Sequence, residues 1–157
     1  GPDAQSVDPE LDVVTMAVKV PETLSHLHYW NVRLTRSSTR EEVLEAFRGS
    51  ARIALIRGDR GLGALNAVKE WMLDIGRPRG DLYEVALWED MVTVRGDELF
   101  YAYMVDNQAI VIPETIDAIR AICALEPEPS RSMAITDASL GIGRLVAAIR
   151  HEPATIA

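Results

Sequence analysis

Two of the chain's three histidines, His26 and His28, stand two residues apart between runs of strand character. Imidazole titrates near neutral pH, so either ring can act as a general base or as a ligand. Residues i and i+2 of a strand point to the same face. The two rings therefore either face a cleft together or form a hydrogen-bonded pair at a strand end, and the spacing leaves both open. No Cys, Asp or Glu stands at ligand spacing around them, so no metal site is expected. Cys123 is the single cysteine. It falls on the apolar stripe of a helical segment, where Cys behaves as a small buried hydrophobe.

Other polar groups carry weaker signals. Lys19 closes a strand-like run, where a solvated lysine is the plain reading. Asn107 and Gln108 follow the last strand, and each side-chain amide offers a donor and an acceptor, although polar residues there also simply make a turn. Arg77, Arg79 and Asp81 form a polar loop suited to solvent, a neighbouring subunit or a phosphate. The run GDRGLG at Gly58 to Gly63 lacks the GxGxxG spacing and follows no βαβ unit, so it is not a dinucleotide site. Arg95-Gly96-Asp97 is read as a hairpin turn.

The elements that must position these groups follow from pattern. Residues 1–12 read as an extended lead-in broken by Pro2 and Pro9. Val13 to Val20 is β-branched and apolar, Pro21 ends it, and His26 to Thr35 alternates; both are expected strands. Ser37 to Ser50 is an expected helix, with Thr39 and Glu42 spaced as a capping box and Val43, Leu44 and Phe47 on one face. Arg52 to Arg57 is a short strand. Ala64 to Ile75 is a helix with Leu65, Val68, Met72 and Ile75 on one stripe, stopped by Gly76 and Pro78. Leu82 to Trp88, Met91 to Arg95 and Glu98 to Val105 are strands, the last two joined by Gly96-Asp97 as a type II′ hairpin. Pro113 to Leu125 is a helix with Pro and Glu114 in its first turn. A Pro-rich link over residues 126–130 leads to one or two helices over Arg131 to Arg150, broken around Gly141 and Gly143. This order lacks the regular alternation of a parallel α/β chain. It predicts an α+β domain, mainly antiparallel, with helices packed on one face of the sheet.

With 157 residues, 48% of them hydrophobic and 25% charged, the chain reads as one domain able to bury a core. Its net charge of -8 disfavours a nonspecific nucleic-acid or anionic-membrane surface. No apolar run is long enough to span a membrane, and the N-terminus is polar without a signal region. The lone cysteine fits a reducing compartment, so a cytoplasmic location is expected.

The stretch TMAVKVPETLSHLH, Thr15 to His28, resembles the segment that carries the catalytic histidine in archaeal (type II) glyceraldehyde-3-phosphate dehydrogenases. The likeness continues through GRPRGD (Gly76 to Asp81), Trp88 with the acidic pair after it, and VIPETIDAIRA (Val111 to Ala121). It spans nearly the whole chain, from Gly1-Pro2-Asp3 to the TDASLGIGR segment ending at Arg144. The resemblance implies a dehydrogenase catalytic domain. In that chemistry a cysteine thiolate attacks the aldehyde, hydride passes to NADP or NAD, and inorganic phosphate releases the acyl group. By motif position His26 is then the base, with His28 as the alternative. Lys19 is similar in place to a phosphate-binding Arg of bacterial relatives and can neutralise a phosphate as a point charge. Asn107 or Gln108 is placed to hold the nicotinamide carboxamide, although many members read His-Gln-Glu-Ser-Asp here and this chain departs from that pattern.

The family's nucleophile lies in a Ser-Cys-Asn-Thr-Thr motif that this sequence does not contain, so Cys123 is not that residue. The chain is accordingly expected to be a C-terminal segment, without the cofactor-binding Rossmann domain and inactive alone. Its expected partners are a phosphorylated aldehyde, inorganic phosphate and further copies in a homo-oligomer, the family implying a tetramer. One rival is a free-standing binding or assembly domain of the same fold without dehydrogenase activity. Another is an acyl-phosphate reductase of the aspartate-semialdehyde type, which VPETLSHLH fits less well.

Overall fold

The computed structural model describes residues 2–21 and 24–143. Five strands form one sheet: β1 (Ser25–Arg33), β2 (Ile53–Ile56), β3 (Val85–Trp88), β4 (Thr93–Arg95) and β5 (Glu98–Asp106). The helices are α1 (Pro2–Val7), α2 (Arg40–Arg48), α3 (Leu65–Asp74), α4 (Ile112–Ile122) and α5 (Pro129–Leu140). The strand order is β1-β5-β3-β2, with β4 also paired to β5. Only β2 and β3 run parallel; β5 is antiparallel to β1, β3 and β4. The class is therefore α+β with a mainly antiparallel sheet, as the order of elements predicts.

Strand β5 is central because its alternate side chains feed two apolar layers. Ala102 and Met104 join Ala54, Ile56, Ala86 and Trp88 on one face, where α3 adds Val68 and Met72. Leu99 joins Leu87 and Val92 on the other, where α2 adds Val43 and Leu44. Thus α3 covers one face, and α2 packs in addition against part of the opposite one. The start of α2 is the capping box expected from Thr39 and Glu42, with both reciprocal hydrogen bonds formed. The β4–β5 hairpin turns at Gly96, whose φ of +66° is the left-handed value its first turn position demands.

Two expectations at the N-terminal end are corrected. Residues 2–7 form the short helix α1, with Pro2 at its start and Asp3 in its first turn, both favourable at a helix N-terminus. Val13 to Val20 is not a strand: residues 11–20 have no regular structure, and Val14, Met16 and Val18 are 84–97% exposed. Alternation supplies the side chains for a strand, but pairing needs a neighbour. Among the described residues none lies along this segment. At the other end α5 stops at Gly141, in the left-handed conformation, and the expected continuation over 144–150 lies outside the described residues.

Buried and part-buried ion pairs fasten the helices. Arg52, just before β2, donates to Asp137 on α5 at 2.9 Å and to Asp117 on α4 at 2.7 Å. Asp117 also accepts from Ser132 and Thr136 at 2.8 and 2.7 Å. Burial works to raise the Asp117 pKa, but the bonds from Thr136, Arg52 and Ser132 outweigh it and hold the carboxyl below its ordinary value. Arg77, expected in a solvated loop, is instead buried and forked onto Glu84 at 2.8 and 2.6 Å, and it also donates to the Gly141 carbonyl at 3.1 Å. Asp81 of the same loop is buried too, while Arg79 is exposed.

The loop between α3 and β3 depends on Gly80. Its φ is +67°, and a Cβ there would stand 2.9 Å from the Lys69 carbonyl oxygen. Gly76 has φ +83° but open space around it. Gly80→Ala should therefore lower unfolding free energy by about 2 kcal/mol or more, and Gly76→Ala by only about 1 kcal/mol, in urea melts. Equal losses would show that backbone strain alone, without the carbonyl clash, limits both sites.

Candidate active site

Pairing with β5 fixes where the β1 side chains point. His26 lies opposite Val105 and His28 opposite Tyr103, so both histidines share the face of Tyr101 and Tyr103. His28 stacks on Tyr103, with ring centroids 4.8 Å apart and planes 11° from parallel. The His26 ring is 5.9 Å from that of His28. His26 is exposed and His28 half-buried. Partial burial lowers the His28 pKa, and the His26 charge lowers it further, so His28 is held neutral at neutral pH. A neutral imidazole on an open face can accept a proton.

The turn after β5 sits at the same end of the sheet. Asp106, the last residue of β5, lies opposite Ser25, next to His26. The Asn107 backbone N–H donates to the Leu24 carbonyl at 2.9 Å, and the Gln108 backbone N–H to Asp106 Oδ1 at 2.8 Å. Both Asn107 and Gln108 are exposed. Their side-chain amides can meet a carboxamide, whose own donor and acceptor they complement. The structure thus brings the two histidines and the two amides to one end of the sheet.

The remaining candidate residues are Lys19 and Cys123. Lys19 stands in the exposed segment 11–20 and makes no hydrogen bond or ion pair among the described residues. Cys123 caps the C-terminus of α4 and is exposed, which corrects its expected burial. Of the stripe it shares, Ile116 is partly buried and Ile119 half-exposed, and α4 is held through Asp117 and Arg120. Among the described residues no group of three or more His, Cys, Asp or Glu side chains could hold a metal ion. No helix there is long and apolar enough to cross a membrane.

Sequence reasoning missed two features. The stacking partner Tyr103 and the Lys69–Asp106 ion pair both join residues far apart in the chain. The opposite sheet face also holds a cleft of about 340 Å³, lined by Leu27, Tyr29, Leu65, Asn66, Trp88 and Met91. Gly63 and Ala64, at the end of the GDRGLG run and just after it, close that cleft.

No protein-family model matches the chain. It is 42% identical over 142 residues to glyceraldehyde-3-phosphate dehydrogenase of Methanopyrus kandleri, covering 90% of this chain and 41% of the relative. The enzyme of Pyrobaculum calidifontis is 47% identical over 140 residues, or 89% of this chain and 40% of the relative. That of Haloarcula marismortui is 39% identical over 144 residues, or 92% and 41%. The chain is homologous to a segment of archaeal glyceraldehyde-3-phosphate dehydrogenases. It spans about two-fifths of the length of these relatives.

Because the folded pKa of His28 lies below its ordinary value of 6.5, the unfolded chain binds the proton more readily. The associated stability is present above that value and declines as pH falls below it. His28→Asn should flatten this part of the stability–pH curve measured by urea melts. His26→Asn should move the His28 titration, followed by imidazole NMR, only part of the way back, since burial is the larger cause. Full return would assign the shift to charge instead.

Proposed function

We propose that the chain is the C-terminal catalytic part of a phosphorylating glyceraldehyde-3-phosphate dehydrogenase. The enzyme would oxidise glyceraldehyde 3-phosphate to 1,3-bisphosphoglycerate with NADP or NAD. One observation carries this reading: a chain homologous to these enzymes holds two same-face histidines beside an amide-bearing turn at one sheet end. The free-standing binding or assembly domain is not favoured by that homology.

The residue roles combine this placement with the family resemblance, on which the role of Lys19 alone rests. His26, exposed at the strand end, takes the proton of the thiol nucleophile supplied by the remainder of the enzyme. His28 stands beside it as the alternative base, steadied by Tyr103. Asn107 and Gln108 hold the nicotinamide carboxamide, and Lys19 meets the phosphate. The bound cofactor supplies the hydride acceptor. Residues 1–157 make a single domain, and the cofactor is bound mainly by the polypeptide beyond the matched segment, so this chain alone is inactive. Its partners are the phosphorylated aldehyde, inorganic phosphate and further copies in a cytoplasmic homotetramer, with neither nucleic acid nor membrane among them.

In the full-length enzyme His26→Asn should lower kcat by about 10²- to 10⁴-fold while cofactor affinity is kept. Retained turnover would remove His26 from the chemistry. Loss confined to His28→Asn would transfer the role to its neighbour.

A further inference from the structure

The amide turn is anchored by a part-buried ion pair. Asp106 is 1% exposed, at the last position of β5. Its Oδ1 accepts the backbone N–H of Gln108 at 2.8 Å and of Ala109 at 3.0 Å. Its Oδ2 accepts from the Lys69 ammonium, which reaches it from α3. Asn107 is tied on the other side to Leu24, and Ala109 is fully buried. Every residue from Asp106 to Ala109 is thus fixed through its backbone or by burial, while the Asn107 and Gln108 side chains remain exposed.

Such an anchor is more than a turn requires. Ordinary turns form from many sequences with a single backbone hydrogen bond. Taking a carboxylate and an ammonium out of water costs several kcal/mol per ion before their attraction and hydrogen bonds offset it. Bonds between two N–H groups and one charged oxygen are directional and strong. The result is a turn whose backbone has little freedom, carrying two polar side chains toward solvent beside His26.

We propose that Asp106, clamped by Lys69, is a positioning residue for the Asn107 and Gln108 amides. This rests on the reading that those amides meet the nicotinamide carboxamide. A carboxamide is recognised by a donor and an acceptor at fixed separation, so a drift of about 1 Å in the turn weakens both bonds together. Lys69 acts one step further out, by holding Asp106 ionised and aimed at the two N–H groups.

Four variants test the proposal: Asp106→Ala, Asp106→Asn, Lys69→Met and Lys69→Arg. In the 157-residue chain, amide exchange at Gln108 and Ala109 should quicken by roughly tenfold in Asp106→Ala, while the core amides of Ala86 and Met104 keep their protection. In the full-length enzyme the KM for the nicotinamide cofactor should rise by about tenfold, and the KM for the aldehyde should stay unchanged. Lys69→Arg should restore what Lys69→Met loses. If Asp106→Ala does not fold, Asp106→Asn and Lys69→Met carry the same comparison. Unchanged exchange, parallel movement of both KM values, or no rescue by arginine would overturn the proposal. Asn107→Leu with Gln108→Leu separates the two failures. If that double variant leaves the cofactor KM unchanged, the cofactor-facing reading itself falls; if it raises the KM while Asp106→Ala does not, only the positioning role falls.

Discussion

The antiparallel pairing of β1 with β5 is the constraint on which the candidate site depends. Nine residue pairs, from Ser25 opposite Asp106 to Arg33 opposite Glu98, lock the two longest strands together. Side chains alternate between faces, so a slip of one residue would carry His26 and His28 to the other side of the sheet. The same register sets the Asn107–Gln108 turn beside the start of β1. Histidines and amides therefore hold their relation through backbone hydrogen bonds rather than through contacts of their own.

Around this pairing the fold divides its work between apolar layers and buried charges. The apolar layers fix the sheet: α3 closes one face over Ala86, Trp88 and Met104, and α2 closes part of the other over Leu87 and Leu99. The charges fix what the layers cannot. Arg52 binds α4 and α5 to the sheet through Asp117 and Asp137, Arg77 closes the α3–β3 loop on Glu84 and ties it to Gly141 at the end of α5, and Lys69 binds α3 to the end of β5. Each joins segments whose relative placement apolar packing leaves loose, since hydrophobic burial has no direction whereas ion pairs with hydrogen bonds do.

What the sequence disclosed follows the range of the interactions involved. The capping box of Thr39 and Glu42, the stripe of Val68 and Met72, and the Gly96 hairpin are local, and each stands where its pattern predicts. The shared face of His26 and His28 was legible for the same reason, being a two-residue strand repeat. Val13 to Val20 carried an equally good pattern, yet a strand exists only with a partner, and pairing is not written in the segment itself. Arg77 reads as a solvated loop residue because its partner Glu84 is seven positions on and its burial depends on Gly141 as well. Lys69 and Asp106, 37 positions apart, gave no sign of each other. Cys123 carried the composition of a buried stripe, but α4 is held by its polar side.

The most direct measurement is a crystal structure of the full-length enzyme with its nicotinamide cofactor bound. The account predicts one imidazole nitrogen of His26 within about 3.2 Å of the nucleophilic sulfur, and an Asn107 or Gln108 amide within about the same reach of the carboxamide. Both histidines turned away from the sulfur, or a carboxamide held by other residues with the Asn107–Gln108 turn remote from it, would contradict the account.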